Sequence, residues 1–239
     1  MQNLTALLKS TKTKSLMAIF PHPDDESFAT GGLLLAAKRL GYKTVVAILT
    51  KGDAGKNFTP ANGKTLAQTR THELGRAVKR LGVTKFYLGD FPDAKLRDTK
   101  IKWSQWVKDI VKKEKPSMVV TYDPSGFTGH PDHIVLSLEI KETVKSLTNT
   151  KLFWVSFPIN FARYLNTKTI RYFSTPTHIV KHNGISKLLA ILEHKSQGTL
   201  KKKKSFLMLL CLLFVVRTEW YHEVDLTKEY RYKYVKFDI

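Results

Sequence analysis

Short apolar runs and amphipathic stretches take turns along the first two thirds of the chain. Ser15–Phe20 (SLMAIF), Thr44–Leu49 (TVVAIL), Lys85–Leu88 (KFYL) and Met118–Thr121 (MVVT) are bulky or β-branched and bounded by Gly, Pro or Asp. That pattern predicts four strands. Between them the spacing turns helical. Gly31–Leu40 sets Leu33, Leu34, Ala37 and Leu40 on one face, and Leu66–Leu81 does the same with Leu66, Leu74, Ala77, Val78 and Leu81. Trp103–Val111 repeats the arrangement with Trp106, Val107 and Ile110, Ile134–Leu147 is a further helix, and Leu152–Phe157 (LFWVSF) a fifth strand.

Strands that are apolar at successive positions are buried on both faces. Alternating with helices, they predict a parallel sheet with right-handed crossovers. The fold class is therefore α/β: a Rossmann-like, mostly parallel sheet with helices on both faces. After Pro158 the pattern changes. Phe161–Val180 reads as a hairpin, Lys187–His194 as a helix, and Val224–Ile239 alternates tyrosines with charges. No repeat and no long Gly/Ser linker interrupts the chain, so 1–239 is expected to be one domain with 158–239 as a mixed β/α extension.

Composition narrows the picture. With 239 residues and 42% hydrophobic content, the chain is long enough for a proper core. Cys211 is the sole cysteine, which excludes an internal disulfide and any multi-Cys zinc site. Lys+Arg number 40 against 20 Asp+Glu, a net charge of +20. Such an excess points to nucleic acid, an anionic membrane or acidic small molecules. The apolar run Phe206–Val216, between Lys201–Lys204 and Arg217, is too short for a bilayer span of ~20 residues and reads first as a buried helix. Its other reading is a membrane-surface anchor with a basic flank. A soluble, cytoplasmic protein of a reducing compartment is expected, with no transmembrane span and no signal peptide. Peripheral membrane contact and a homo-oligomer stay open.

The chemistry concentrates at two strand ends. The first strand runs directly into Pro21-His22-Pro23-Asp24-Asp25-Glu26, and the fourth ends near Tyr122-Asp123-Pro124, followed by Gly129-His130-Pro131-Asp132-His133. In open α/β sheets ligands bind beyond the carboxyl ends of strands, above all where the winding reverses. The two clusters share one cleft if those strands are neighbours. A catalytic metal takes three His or carboxylate ligands and keeps one position for water. His22, one of Asp24 or Asp25, and His133 supply such a set, and the spare carboxylate would take a proton from the bound water. Taken singly, a His-Pro is a turn and Asp-Asp-Glu a helix N-terminus. Two such clusters at two strand ends favour a metal site.

PHPDDE at 21–26 and GHPDH at 129–133 resemble the paired motifs of the LmbE-like, or PIG-L, family of zinc-dependent N-deacetylases. Supporting matches are Thr50-Lys51-Gly52-Asp53, the helix pattern Arg70, Glu73, Ala77 and Leu81-Gly82, and Leu88-Gly89-Asp90-Phe91-Pro92-Asp93. Glu193-His194-Lys195-Ser196-Gln197 and Glu219-Trp220-Tyr221 extend the likeness downstream. The resemblance implies His22, Asp25 and His133 as zinc ligands and Asp24 as general base. It implies His130 as oxyanion donor or proton donor to the leaving amine, and Arg70 and Asp93 as residues that hold the sugar substrate. Asp132 has two readings, orienting a motif histidine or capping the next helix. Some family members carry a Tyr where this chain has Thr128, with Phe127 beside it.

The expected activity is zinc-dependent removal of the acetyl group from an N-acetylated amino sugar, of N-acetylglucosamine type, or its conjugate. A small-molecule amino sugar is then the partner, with no specific nucleic acid. The alternatives are an amidase on a larger N-acyl or thiol-sugar conjugate, and a non-enzymatic basic binder of RNA or anionic lipid. Fe²⁺ or Mn²⁺ would suit a similar ligand set. The loops expected to line the pocket, around Asn57–Lys64 and Phe157–Thr177, carry no readable specificity code.

Overall fold

The computed structural model describes residues 1–59, 63–159, 174–198 and 217–230, without the side chain of Thr128. Five strands fall where the apolar runs predicted them: β2 (Ser15–Phe20), β3 (Lys43–Thr50), β4 (Lys85–Phe91), β5 (Met118–Tyr122) and β6 (Lys151–Ser156). Three more complete one eight-stranded sheet: β1 (Gln2–Asn3), β7 (His178–Lys181) and β8 (Thr218–Glu223). The strand order is β1-β7-β8-β6-β5-β2-β3-β4. All described pairings are parallel except those of β8, which runs antiparallel to both β6 and β7.

The long helices are α2 (Asp25–Arg39), α3 (Leu66–Arg80), α4 (Lys100–Glu114) and α6 (Pro131–Lys145). Shorter ones are α1 (Leu4–Ser10), the single kinked turn α5 (Gly126–Gly129) and α7 (Ile185–Ile191), followed by a 3₁₀ turn at Lys195–Gln197. Side chains alternate across each strand, so successive residues feed opposite faces. Leu16, Ala18, Phe20, Val46 and Ile48 pack with α1, α2 and α3 through Leu8, Leu33, Leu34, Leu74 and Val78. Met17, Ile19, Val45 and Ala47 pack with α4 and α6 through Trp103, Val107, Leu136 and Ile140. Each such apolar side chain, fully buried, contributes ~1.5–3 kcal/mol. The three layers therefore follow directly from the doubly apolar strands.

Several boundaries differ from expectation. Helix α2 begins at Asp25, six residues before Gly31, and in its middle the backbone N–H groups of Gly32 and Leu33 donate to the Glu219 carboxylate on β8 at 2.6 and 2.8 Å. Two glycines in a helix cost roughly 0.5–1 kcal/mol each relative to Ala, and a Cβ on Gly32 would lie 2.1 Å from the His182 ring. The close approach of His182, just after β7, thus requires Gly32, while a Cβ on Gly31 would lie 2.9 Å from Lys187 Cγ on α7. The elements β1, α1 and β8 had no counterpart in the sequence pattern. Most of the expected 161–180 hairpin, together with Lys201–Lys204, Phe206–Val216 and 231–239, lies outside the described residues. Among the described residues no helix is long and apolar enough to cross a membrane.

Candidate functional site

The chain moves outward from β2 to β3 and β4, then returns to the other side of β2 with β5. Strands β2 and β5 are parallel neighbours, with Leu16 beside Met118 and Ala18 beside Val120. The winding reverses between them, and both histidine clusters lie just beyond their carboxyl ends. This is the crevice that an open α/β sheet offers a ligand.

Three side chains meet there. His22 Nδ1 lies 3.2 Å from His133 Nε2, and each of these nitrogens is 3.6 Å from Asp25 Oδ2. Ligands held at 2.0–2.1 Å around a tetrahedral metal are spaced about 3.4 Å apart. The triangle therefore fits a divalent ion. His130 closes the cluster, its ring centroid 4.7 Å from His22 and 4.9 Å from His133, and His22, His130 and His133 bring donor atoms within 4.8 Å of one another.

His22, Asp93 and Asp132 likewise bring ligand atoms within 4.8 Å of one another, on the opposite side of the His22 ring, but the carboxylate oxygens already accept hydrogen bonds. Asp93 accepts from Ala54 N at 2.8 Å and Ala94 N at 2.9 Å. Asp132 accepts from Ala94 N at 2.9 Å and Leu96 N at 3.1 Å. Both also face His22 Nε2, at 3.0 and 3.3 Å. A ring whose Nε2–H is held by carboxylates presents Nδ1 as a fixed lone pair, the arrangement that orients metal-binding histidines. Of the two readings of Asp132, orientation of His22 is the one seen. The helix is capped by His130, whose Nδ1 accepts from Asp132 N at 3.2 Å.

The two adjacent acids of the first motif are driven apart. Asp25 is buried, which alone would raise its pKa, yet His133 and His22 together hold it well below the usual carboxylate range. Tyr122, at the tip of β5, donates its hydroxyl to Asp25 Oδ1 at 2.9 Å and stacks on the His133 ring at 4.5 Å. Burial pushes Asp24 up to about 6, opposed by Arg70 and reinforced by Asp25 and Glu26. Neighbouring carboxylates with separated pKa values are the mark of separate duties. His133 is held down to about 4, chiefly by burial, so its ring is neutral near pH 7.

Asp24 sits in a strained backbone conformation, φ 116° and ψ −31°, at the N-cap of α2. Such conformations cost of order 1–3 kcal/mol and persist only where the surroundings enforce them. Here the enforcement is plain. Arg70 on α3 donates to the carbonyls of Pro23 and Gly52 and lies 3.4 Å from the Asp24 carboxylate. Gly52 has φ +68°, and a Cβ there would lie 2.4 Å from the Arg70 guanidinium carbon. Asp24 N donates to Glu26 Oε2 at 2.9 Å, and Glu26 Oε1 is 2.9 Å from His194 Nε2. Ser196, from the same downstream segment, donates to Glu73 on α3 through N at 2.8 Å and Oγ at 2.6 Å.

The structure thus brings together His22, Asp24, Asp25, His130 and His133, with Asp93 against His22 and Arg70 beneath the Asp24 loop. Both of the last two have largely buried side chains; Asp93 accepts from backbone N–H groups and faces His22, and Arg70 spends its two terminal nitrogens on backbone carbonyls while its Nε has no hydrogen-bond partner. Sequence reasoning assigned no role to Tyr122, although its place at the end of a central strand was the available signal, nor to Glu26, whose partner His194 lies 168 residues away.

Residues 17–144 match the PIG-L family, described as GlcNAc-PI de-N-acetylase. The chain belongs to that family. Diacetylchitobiose deacetylase of Thermococcus kodakarensis is 34% identical to this PIG-L chain over 121 residues, 50% of this chain and 45% of that protein. The 1D-myo-inositol 2-acetamido-2-deoxy-alpha-D-glucopyranoside deacetylase of Corynebacterium urealyticum is 31% identical over 162 residues, 56% of this chain and 48% of that protein. The chain spans about half the length of these curated relatives. The solved N,N'-diacetylchitobiose deacetylase from Pyrococcus horikoshii superposes with a TM-score of 0.70 at 22% identity, covering 90% of this chain and 85% of that one. That likeness establishes the shared PIG-L fold.

Proposed function

We propose that the chain hydrolyses the acetamide of an N-acetylated amino sugar, of N-acetylglucosamine type or a conjugate of it. The observation that carries this reading is the convergence of His22 Nδ1, Asp25 Oδ2 and His133 Nε2, with the Asp24 carboxylate raised to about 6 beside them. The names of the two curated relatives support the substrate class, since both are deacetylases of N-acetylglucosamine compounds.

His22, Asp25 and His133 would hold the metal, and two histidines with one carboxylate suit zinc. When bound, the ion polarises the acetamide carbonyl and lowers the pKa of its water to about 7. Asp24 takes the proton of the attacking water, being half-exposed, basic enough near neutral pH and aimed by Arg70. His130 uses Nδ1 as acceptor for Asp132 N, so the proton of its neutral ring resides on Nε2. That N–H hydrogen-bonds the developing oxyanion, and the proton that Asp24 took from the water passes to the departing amine nitrogen. The aromatic wall of Tyr122, Phe127 and Phe157, with centroids 5.9 and 4.9 Å apart in turn, borders the cleft beside His133 and limits water. Arg70 and Asp93, which the resemblance assigns to the sugar, act as positioning residues in this scheme, Arg70 through the Asp24 loop and Asp93 through His22.

The test is deacetylation of N-acetylglucosamine compounds by the zinc-loaded protein before and after chelation. Loss on chelation and recovery with zinc are expected. Full turnover without metal would sink the proposal.

A further inference from the structure

Asp24 is tied to the C-terminal part of the chain through its own backbone. Its N–H donates to Glu26 Oε2 at 2.9 Å, the return bond of a capping box made one position early on α2. The bond closes over the φ of 116° at Asp24 and so holds the turn from which the carboxylate leaves. Glu26 is fully buried, and a buried carboxylate needs its oxygens occupied. Its Oε1 accepts from Ser27 Oγ at 2.6 Å and from His194 Nε2 at 2.9 Å. An ionised carboxylate only accepts, so His194 carries a proton on Nε2. The His194 side chain is buried, and its Nδ1 has no hydrogen-bond partner among the described residues. Its polar contacts are Glu26 and, at 3.5 Å, Ser27.

The turn that delivers His194 is itself fixed from several sides. Glu193 pairs with Arg76 and Arg80 on α3. Ser196 donates twice to the buried Glu73, and its carbonyl accepts from Phe58 N at 2.8 Å. Glu73 follows Arg70 by three residues on α3, close enough for the two to share a helix face. The turn therefore steadies Asp24 by two routes. His194 reaches the Asp24 N–H through Glu26, and Ser196 grips the helix whose Arg70 holds the Pro23 and Gly52 carbonyls. We propose that His194 and Glu26 are positioning residues that set the direction of the Asp24 carboxylate. A segment beyond the 17–144 family match then completes a site whose chemical groups all lie between His22 and His133. The inference rests on the reading of Asp24 as general base, but the hold on its backbone can be tested apart from that reading.

The experiment has a backbone arm and a turnover arm, both in the full zinc-loaded chain. The variants are His194→Ala, Glu26→Ala and Glu26→Gln, the last keeping an acceptor for Asp24 N. Glu114→Gln, at a buried carboxylate on α4, controls for lost stability alone. Amide hydrogen exchange at Asp24 is followed by NMR and should quicken at least about tenfold in both alanine variants, a local opening. On methyl N-acetylglucosaminide, kcat should fall about 10²-fold in both, the cost of a slightly misplaced reacting group, while KM and zinc content stay near the parent. Glu26→Gln should restore most of the rate and of the protection, and Glu114→Gln should leave both unchanged. If His194→Ala does not fold, the double variant Glu26→Ala/His194→Ala, which leaves no unpaired buried charge, is read in its place. Parental exchange and kcat in the alanine variants, equal losses in Glu26→Gln and Glu26→Ala, or losses that follow zinc content would each overturn the proposal. Faster Asp24 exchange in the alanine variants of a protein that turns over no N-acetyl sugar would uphold the hold on the backbone and refute the deacetylase reading.

Discussion

The two histidine motifs read almost alike, His-Pro-Asp-Asp and His-Pro-Asp-His, yet the structure gives matching letters opposite work. In the first, His22 is one vertex of the triangle with Asp25 and His133, and Asp24 stands half-buried, strained, with its pKa raised to about 6. In the second, His130 caps a helix, while Asp132 is fully buried and holds the 94–96 backbone and the His22 ring. The difference lies in who occupies the oxygens. Asp132 has its lone pairs filled by N–H donors, so it is a brace. Asp24 has Arg70 nearby and no side-chain cap bond, which leaves its carboxylate available for the base role proposed above. A motif marks the place, and the hydrogen-bond partners decide the role.

The sharpest way to break this contrast is to neutralise each aspartate alone. Asp24→Asn should cut kcat by roughly 10²–10⁴, the range of a general base, while metal content and thermal unfolding stay near the parent. Asp132→Asn should behave in reverse. Replacing one buried acceptor oxygen by an amide leaves an N–H facing Ala94 or Leu96, at about 1–3 kcal/mol of stability. Metal content by emission spectroscopy, thermal melts and initial rates separate the two. An Asp24→Asn protein that loses metal or melts early would collapse the distinction.

How much of this was legible beforehand depended on sequence distance. The five central strands, the two motifs and their convergence at one switch point follow from local pattern and from topology rules. What stayed hidden is what distant segments supply. Glu219, from the far end of the chain, takes two N–H groups in the middle of helix α2, and no local propensity in a Gly31-Gly32 stretch announces that. The duty of Tyr122 depends on the neighbouring strand placing Asp25 against its hydroxyl. Arg70 and Asp93 were expected to hold the sugar, and their buried partners, which are backbone carbonyls, backbone N–H groups and His22, emerge only in the packed structure.

The histidines allow a second, smaller test. His133→Ala should release the metal, because it deletes one vertex of a triangle with 3.2–3.6 Å edges. His130→Ala should retain the ion and lose turnover. The brace variant Asp132→Asn falls between, with metal affinity weakened about 10–100-fold, as expected when the partner orienting a ligand is changed. Competition with a chromogenic chelator ranks the three. Equal loss in His130→Ala and His133→Ala would place His130 among the ligands and undo the assignment.

A yardstick for bracing without chemistry is Glu114, buried at the end of α4 on the edge of the sheet. Lys43 and Lys85 lie 2.6 and 3.0 Å from its oxygens and Tyr87 donates its hydroxyl at 2.5 Å. Burial opposes ionisation there, but Lys43, Tyr87 and Lys85 outweigh it and bring the carboxyl down to about 2 from an ordinary 4.5. The folded pKa is thus depressed. Its contribution is fully present above pH 4.5 and is lost as pH falls toward 2. Because both lysines are nearly half exposed, solvent screens the pairs and Glu114→Gln should cost only about 1 kcal/mol at pH 7. The gap between variant and parent in urea melts should narrow steadily from pH 4.5 downward, with kcat untouched at pH 7. A gap independent of pH would show that packing, not charge, sets the cost, and bracing by Asp132 would then have to be judged on shape alone.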